Sequence, residues 1–360
     1  MSKKLFCILI PMHNEEKVIQ ATLQSITKLG KVSMKDVYLV DDCSKDDTVK
    51  RVLDYGFPEQ NVLQLSPNKG KAGAVIGANI HFKLSQRYEW IQFMDADTLV
   101  GANHAQKLNK YLPTLDKGTI AVCTEVATEH SSWNPLVVYR QVEYFITHMV
   151  YKRAQSELNI ITVIPGCGAI FRSPVFDMLM QDHNPKMLTE DMDWTIKVHH
   201  DQLGRVIFNG DFKVYTQDPK NIRDYLKQIH RWYRGLWQVY RSRSMWNITK
   251  KINAELSLLV LEGLTFSMIW LFGIINTLYT WNFTFTNKFL IFDVALFLVY
   301  ILLTCIKQGT VKPLMYMPIF YPVRMLTCFV FFYSMVEIFL LQADKWTTLG
   351  WNKVKRYEIK

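Results

Sequence analysis

The 360-residue chain lacks the cysteine patterns that define disulfide frameworks and zinc sites. Its six cysteines are scattered, without a CxxC pair or any metal-ligand spacing. A disulfide-stapled scaffold is thereby excluded, and buried thiols in a reducing compartment are favoured. The opening apolar run, "LFCILIP", is too short for a signal peptide. We therefore expect the first domain to stay in the cytoplasm.

The chain also lacks a phosphate-binding loop of the GxxxxGK[ST] type, and no internal repeat or low-complexity tract is visible. A P-loop site is therefore excluded. The segment "NKGKAGA" nevertheless places Lys69 and Lys71 around Gly70 and Gly73. We interpret it as a lysine contact to a phosphate.

Acidic residues are scarce between residues 220 and 251, where nine Lys or Arg accompany a single acid, Asp224. The whole chain carries a net charge of +10. This balance favours acidic partners such as phosphates, nucleic acid or anionic lipid, and composition does not choose among them. Because nothing besides the basic stretch supports nucleic-acid binding, we expect no nucleic-acid partner.

Upstream of Lys251, short apolar runs alternate with amphipathic stretches, which is typical of an α/β domain with a mostly parallel sheet. We predict strands at "LFCILIP", "VYLVDD", "NVLQLS" and "WIQFMDAD", and helices at "EEKVIQATLQSITKLG" and "KAGAVIGANIHFKLS". In such sheets the ligand site lies at the carboxyl ends of the strands. Those ends carry the acidic segments "PMHNEE", "DDCSKDD" and "DAD", so we expect the site there.

Downstream of Lys251 the chain is dominated by long apolar runs. Three of them have the length, or nearly the length, that a bilayer span needs: Leu256–Tyr279, Phe289–Ile306 and Met325–Leu341. Trp and Tyr lie at their edges, which favours membrane insertion over buried core helices. Three spans would put the basic tail across the membrane from the first domain, whereas a hairpin or an interfacial stretch would return it. The number of spans stays open.

Three acids, Glu262, Asp293 and Glu337, fall inside these apolar runs. Ionisable groups are costly in lipid, so we expect the three to face protein or a polar path. A path for an acceptor and plain helix–helix packing are both compatible with that expectation.

The shifts in composition predict four regions. They are a cytoplasmic α/β domain at 1–219, interfacial amphipathic helices at 220–251, a transmembrane region of three to four helices at 252–344 and a basic tail at 345–360. In the second region, we expect basic and aromatic side chains to rest on anionic lipid headgroups. These are Lys227, Arg234, Trp237, Arg241, Arg243 and Trp246.

The segment "MDADT" places Asp95 and Asp97 at the end of an apolar run. Alternate residues of a strand point the same way, so we expect both carboxylates to reach one point beyond the strand end. Two such oxygens hold Mg²⁺ or Mn²⁺ when a substrate phosphate supplies the rest of the coordination. A turn or capping role is the alternative.

Two further acidic segments follow the first two predicted strands. In "VDDCSKDDT", Ser44 or Asp46 is placed to cap the next helix. Asp41 and Asp42 lie nearer the strand end, where a carboxylate can accept hydrogen bonds from a base imide or a ribose hydroxyl. "PMHNEE" adds Glu15 to the same rim.

A third acidic segment, "LTEDMDWTIKVHH", carries Glu190, Asp191 and Asp193. Thr189 can cap a helix that starts here, and acids in a first turn favour the helix dipole. That capping role leaves the neighbouring glycine-rich "PGCGAIFR" unexplained. Closely spaced acids also raise one another's pKa and can yield a general base.

In this order, the motifs resemble those of family-2 glycosyltransferases, in particular the membrane-embedded polysaccharide-synthase branch. The matching pieces are "IPMHNEE", "VDDCSKDDT", "NKGKAGA", "MDADT", "GCGAIFR", "TEDMD" and "QIHRW". The resemblance runs from Leu5 through Trp232 and extends to the apolar tail. It implies a GT-A fold, an α/β domain that binds a nucleotide sugar, followed by a C-terminal α-helical transmembrane region.

The resemblance also implies a role for each motif. Pro11, Glu15, Asp41, Asp42, Lys71 and Asp95 would bind the nucleotide sugar, with UDP as the expected nucleotide. Asp95 and Asp97 would hold Mg²⁺ or Mn²⁺. Asp191 would be the general base, with Glu190 beside it, and Gln228, Arg231 and Trp232 would contact the diphosphate and the acceptor. Gly166, Cys167 and Gly168 would line the acceptor pocket.

The expected function is therefore inverting transfer of a sugar from a nucleotide sugar to a growing polysaccharide or a lipid-linked glycan. We expect an integral membrane enzyme whose catalytic domain is cytoplasmic. Two features depart from the processive pattern: His230 precedes the Arg-Trp pair, and the chain starts directly with a strand. A transferase that adds one sugar to a lipid, and a catalytically silent nucleotide-sugar-binding subunit, stay as alternatives. The transferred sugar and the oligomeric state are open.

Overall fold

The computed structural model describes residues 3–128, 132–181, 184, 186–342 and 357. The chain divides into two compact units, each described separately below. The first comprises Met1–Ala127, Lys152–Gln217 and Thr347–Lys360, and the second comprises Thr128–Tyr151 and Asp218–Trp346. Apart from residue 357, the predicted basic tail lies outside the described residues.

Eight strands of the first unit form one sheet in the order β3-β2-β1-β4-β7-β6-β8-β5. They are β1 (Lys4–Met12), β2 (Val37–Asp41), β3 (Val62–Gln64), β4 (Tyr88–Phe93), β5 (Leu99–Val100), β6 (Thr119–Ala127), β7 (Ile170–Arg172) and β8 (Arg205–Tyr215). Strands β1 to β4 pair in parallel, as do β6 and β8. The remaining pairings are antiparallel.

Helices connect and cover these strands. In the described residues they are α1 (Ile19–Gln24), α2 (Thr48–Asp54), α3 (Gly70–Phe82), α4 (Leu84–Arg87), α5 (His104–Tyr111), α6 (Pro135–Phe145), α7 (Arg153–Leu158), α8 (Ser173–Gln181), α9 (Glu190–His200), α10 (Ile222–Ser242), α11 (Lys251–Thr280), α12 (Thr284–Gln308), α13 (Lys312–Met315) and α14 (Met317–Phe339). Short 3₁₀ turns occur at Met34–Asp36, Glu59–Asn61 and Leu112–Thr114, and π-helical segments at Ser25–Leu29 and Ile146–Lys152.

The central strands are apolar on both faces because helices pack on both sides of a parallel sheet. In β1 the run from Cys7 to Ile10 is fully buried. The chain passes from β1 outward to β2 and β3, then returns to β4 on the other side of β1. Ligands of open α/β sheets bind at such a switch point, at the carboxyl ends of the strands. The loops after β1 and β4 are therefore placed to form a site.

In the second unit, three helices are long and apolar enough to cross a membrane: α11, α12 and α14. Their outward faces carry large apolar side chains that are more than half exposed, among them Leu258, Leu261, Phe272, Ile291 and Phe292. Apolar surface of this extent suits lipid rather than water. The structure extends the third predicted span toward the N-terminus, since α14 begins at Met317.

Each of the three acids in the apolar runs has a partner inside the second unit. Asp293 accepts a hydrogen bond from the Arg324 guanidinium at 2.9 Å. Glu262 accepts one from the Tyr151 hydroxyl at 3.3 Å. Glu337 is hydrogen-bonded to the His230 imidazole. Asp293 and Glu337 thus have partners in the interior of the unit, as charged groups in an apolar setting require, whereas Glu262 is exposed and meets a neutral hydroxyl.

Trp237 corrects one of the sequence predictions. It does not face lipid headgroups: it is 2% exposed, and its indole N–H donates to the carbonyl of Phe331 at 3.2 Å. Its ring packs on the rings of Phe331 and Phe339. Because α10 packs along α14 within this unit, the face of α10 that carries Trp237 is an interior face.

Arg324→Met tests the pairing in the apolar helices. The substitution leaves Asp293 without its countercharge, and removing one partner of a buried pair costs about 3–5 kcal/mol. We expect a lower unfolding temperature in detergent micelles. The double variant Arg324→Met/Asp293→Leu should recover most of the loss, because an apolar replacement of a buried pair is often neutral. A single variant as stable as the parent would contradict a stabilising pair.

Candidate active site

Acidic side chains gather at the carboxyl edge of the sheet, at the switch point between β1 and β4. Glu15 follows β1 and is 3% exposed, and its backbone N–H donates to the Thr48 hydroxyl at 2.6 Å. Pro11 lies within β1 and lines the cleft described below. The first unit thus brings these two predicted nucleotide-binding residues to the edge that topology favours.

Asp41 and Asp42 fix the loops at this edge. The Asp41 carboxylate accepts hydrogen bonds from the backbone N–H of Ser44, at 3.1 Å, and from its hydroxyl. Asp42 is fully buried and accepts from the backbone N–H of Lys69 at 2.7 Å. The second contact anchors the loop that leads into α3. Contacts of either residue with uracil and ribose stay a prediction.

Asp95 and Asp97 lie in a turn, not on a strand. Strand β4 ends at Phe93, and the Thr98 N–H donates to the Asp95 carbonyl at 3.0 Å to close the turn. The alternation of strand side chains therefore does not apply to the pair. The Asp95 side chain is 31% exposed, whereas Asp97 is 2% exposed. Of the two carboxylates, Asp95 is thus the more accessible one.

Lys71 connects two of the acidic segments. Its ammonium lies 2.6 Å from an Asp95 oxygen and 3.3 Å from a Glu190 oxygen. Burial lowers the pKa of Lys71, but the charges of Asp95, Glu190 and Asp191 outweigh burial and raise the pKa above its usual value. The ammonium therefore stays charged, and it draws together residues from the turn after β4 and from α9.

Asp191 is half-buried at the first turn of α9. One of its oxygens accepts a hydrogen bond from the Gly166 N–H at 3.1 Å, and the other accepts one from the Met192 N–H at 2.9 Å. Burial and then the charge of Glu190 raise the pKa of Asp191, against the opposing effect of Lys71. A carboxylate with a raised pKa is a better proton acceptor than an exposed one.

The glycines of the "GCG" segment allow this close approach. A Cβ on Gly166 would lie 2.9 Å from the Lys71 ammonium nitrogen, and one on Gly168 would lie 2.3 Å from the Thr124 hydroxyl. Burial raises the pKa of the Cys167 thiol well above its usual value, with Asp95 adding to the shift. A thiol with a raised pKa is a poorer nucleophile than an ordinary cysteine.

A cleft in the first unit joins these groups. Its lining combines charged and apolar side chains. It includes Pro11, Lys71, Phe93, Ile164, Gly166, Phe171, Glu190, Asp191 and Trp194. Two features escaped the sequence analysis: the Lys71–Glu190 contact and the place of Trp194 in the lining. Trp194 falls four residues after Glu190, and residues at that spacing lie on one face of a helix. The spacing could therefore have predicted that Trp194 lies beside Glu190.

Asp95 and Asp97, which follow β4, could bind a divalent metal only together with ligands from a substrate phosphate. Among the described residues, no group of three or more His, Cys, Asp or Glu could hold an ion. Asp95 and Asp97 offer hard carboxylate oxygens, the ligands that Mg²⁺ and Mn²⁺ prefer when substrate phosphates complete the coordination. Asp95 already faces a cation, the Lys71 ammonium. The donor set therefore fits a metal that arrives with a phosphate ligand.

The predicted Gln-x-x-Arg-Trp residues lie in the second unit, on α10. The side-chain oxygen of Gln228 is buried without a hydrogen-bond partner in the described part of the chain. Trp232 is half-buried and packs on the apolar cluster of that unit, while the Arg140 guanidinium carbon lies 4.7 Å from its ring centroid. Arg231 is half-buried. Their roles toward substrate stay predictions.

Comparison with known proteins shows a family model and relatives that match the N-terminal part of the chain. The Glycosyl transferase family 2 model matches residues 7–179, just under half of the chain. Chitin synthase 8 of Mycosarcoma maydis is 29% identical over 181 residues, which is 44% of this chain and 9% of that protein. Chitin synthase csmA of Aspergillus niger is 25% identical over 179 residues, 44% of this chain and 11% of that protein. The chain thus spans about a tenth of these relatives.

A solved structure shares the architecture of the chain. It is the mannosyltransferase PcManGT from Pyrobaculum calidifontis in complex with GDP-Man and Mn²⁺. The match has a TM-score of 0.62 at 15% identity and covers 95% of this chain and 89% of that one. The likeness confirms the predicted GT-A-like α/β domain followed by apolar helices. Residues 7–179 of this chain match the Glycosyl transferase family 2 model and carry the acidic motifs of the cleft.

Proposed function

We propose that the protein is an inverting glycosyltransferase of a membrane, which transfers a sugar from a nucleotide sugar to a polysaccharide or lipid-linked glycan. The observation that carries this proposal is the half-buried Asp191, held by the Gly166 N–H at 3.1 Å beside the Lys71–Asp95 pair. A base and a phosphate-binding cation thus occupy the same cleft. Transfer between a phosphate-linked donor and a hydroxyl acceptor needs both.

Asp191 would take the proton of the acceptor hydroxyl as the oxygen attacks the anomeric carbon. A sugar hydroxyl is a poor nucleophile, and a positioned base lowers its barrier. The two backbone N–H donors hold the Asp191 carboxylate in place, so little reorganisation is needed. Attack from the side opposite the leaving group inverts the anomeric centre in one displacement.

The nucleoside diphosphate gains negative charge as it leaves. Lys71 is the cation of the cleft that can face it, and a bound Mg²⁺ or Mn²⁺ would supply further charge stabilisation. Asp95 and Asp97 are the residues that would hold that metal. From the motif, Arg231 is assigned to the diphosphate and Trp232 to the acceptor. UDP is the proposed nucleotide, with Asp41, Asp42 and Glu15 at its base and ribose.

The three span-length helices support an integral membrane enzyme, and we place the catalytic domain in the cytoplasm, where nucleotide sugars are available. The matched chitin synthases are named for a polymer-forming activity. That activity supports a growing glycan as the acceptor. Addition of a single sugar to a lipid is the alternative outcome, and the length of the product decides between them.

Nucleotide release tests the proposal directly. Purified protein in detergent with Mg²⁺ or Mn²⁺ should release UDP from at least one UDP-sugar. UDP-N-acetylglucosamine is the first donor to try, because chitin is a polymer of N-acetylglucosamine. GDP-mannose belongs in the screen because the structurally similar mannosyltransferase was solved with it. No release from any donor, with oligosaccharide and lipid acceptors present, would leave only a silent binding subunit.

Asp191→Asn tests the base. Asparagine keeps the shape and can still accept the Gly166 hydrogen bond, but it does not take a proton. We expect transfer to fall about 10²–10⁴-fold, with the donor Kd within about threefold. Asp201→Asn, an exposed change at the end of the same helix, is the matched control and should stay active. An active Asp191→Asn enzyme would show that another group is the base.

Glu190→Gln tests how the charge of Glu190 tunes that base. The negative charge of Glu190 raises the pKa of Asp191, so its removal should lower that pKa. Because the base works when deprotonated, the acidic limb of the pH profile of kcat/KM should move to lower pH. The control is Glu157→Gln, an exposed change on α7. A limb that stays in place, or moves to higher pH, contradicts the coupling.

A further inference from the structure

Trp232 has an arginine over one face of its ring. The tryptophan is half-buried on α10, and the guanidinium carbon of Arg140, from α6, lies 4.7 Å from the indole centroid. A guanidinium at this distance is attracted to the negative face of the ring. That face of the indole is therefore occupied by the protein itself, within the second unit.

Arg140 is held firmly in that position. It is 3% exposed, and each of its three nitrogens donates to a different oxygen. The acceptors are a Glu143 carboxylate oxygen at 2.7 Å, the Tyr144 hydroxyl at 2.9 Å and an Asp218 carboxylate oxygen at 3.3 Å. A planar fork with three fixed partners cannot rotate without breaking charge-assisted hydrogen bonds.

The partners of Arg140 are themselves tied together. The Tyr144 hydroxyl donates to Asp218 at 3.2 Å, and the Tyr225 hydroxyl donates to Glu143 at 3.2 Å. This network joins α6 to α10, the helix that carries Trp232. Burying a guanidinium costs free energy unless its N–H groups are hydrogen-bonded. Here the same hydrogen bonds also fix the plane of the Arg140 guanidinium against the indole.

We propose that Arg140 is a positioning residue for acceptor binding: it fixes the orientation of the half-buried Trp232 ring, which would contact a sugar ring of the acceptor. The inference rests on the proposed function, which assigns Trp232 to the acceptor. A ring already held in its bound orientation loses less entropy on binding, so the stacking contact gains affinity from pre-organisation. Arg140 acts through Trp232 and has no assigned contact with the donor.

The first test reads the ring itself, independently of activity. The full chain, labelled with 5-fluorotryptophan, gives a ¹⁹F resonance for Trp232 that Trp232→Phe identifies by its loss. Arg140→Lys keeps the positive charge but not the planar fork, so it should fold. We expect it to shift or broaden the Trp232 signal. Arg223→Met, an exposed change on α10, should leave that signal in place. An unchanged signal in Arg140→Lys overturns the proposal.

The second test reads the consequence for the acceptor. Loss of a partly desolvated cation–π contact corresponds to about a tenfold change in affinity. We expect Arg140→Met to raise the KM of the acceptor about tenfold, with the donor KM within about twofold, and Arg140→Lys to fall between it and wild type. In a Trp232→Phe background, Arg140→Met should add little, since the two residues act as one unit.

The outcomes separate the two ideas. A wild-type protein that releases no nucleotide defeats the proposed function, while the ¹⁹F signal still decides whether Arg140 fixes Trp232. A transferring wild type whose Arg140 variants keep the acceptor KM defeats this inference alone. Additive effects of Arg140→Met and Trp232→Phe, or equal rises in both KM values, mean a general structural role and overturn it as well. A fold that tolerates Arg140→Lys but not Arg140→Met leaves Arg140→Lys as the deciding variant.

Discussion

The active-site cleft depends on one charged contact, the ammonium of Lys71 between Asp95 and Glu190. The two distances, 2.6 and 3.3 Å, join the start of α3 to the turn after β4 and to the first turn of α9. Without that cation, the carboxylates of Asp95, Glu190 and Asp191 would repel one another across a partly buried cleft. The same lysine opposes the rise in the pKa of Asp191 that burial causes. The residues proposed to bind phosphate and to accept the proton are thus coupled electrostatically through Lys71.

A similar rule governs the apolar helices of the second unit. Asp293 pairs with Arg324 and Glu337 meets His230, so these two acids have partners within the unit, while the exposed Glu262 meets the Tyr151 hydroxyl. His230, which departs from the processive pattern in the sequence, is bound to the last long helix and stacks on Tyr333. These two contacts make His230 part of the packing between α10 and α14. Arg140 is likewise a buried charge whose hydrogen bonds are satisfied, and its guanidinium packs on the ring of Trp232, which belongs to α10.

Local patterns were sufficient to predict much of the fold. The runs at β1, β2 and β4 are apolar because both of their faces are buried, and the long helices are apolar along lengths that suit a membrane span. Other features depend on contacts between residues far apart in the chain. The Lys71–Glu190 pair could not be read from either segment alone. Asp95 and Asp97 were expected to alternate on a strand, but β4 ends at Phe93 and the chain turns.

Trp237 was expected at lipid headgroups and is buried instead, because its helix has an inward face that composition does not reveal. Arg140 carried a usable signal, a lone arginine among apolar residues in "PLVVYRQVEYF".

The central claim is that Lys71 couples the carboxylates to the donor, and calorimetric binding of UDP with Mn²⁺ to the full chain tests it most directly. Lys71→Met removes the charge at nearly constant length, while Lys71→Arg preserves it. A charge-assisted hydrogen bond contributes about 1.5–3 kcal/mol. The account therefore predicts that Lys71→Met weakens UDP binding about tenfold or more and that Lys71→Arg retains most of the affinity. Equal affinity of Lys71→Met and wild type for UDP would contradict it.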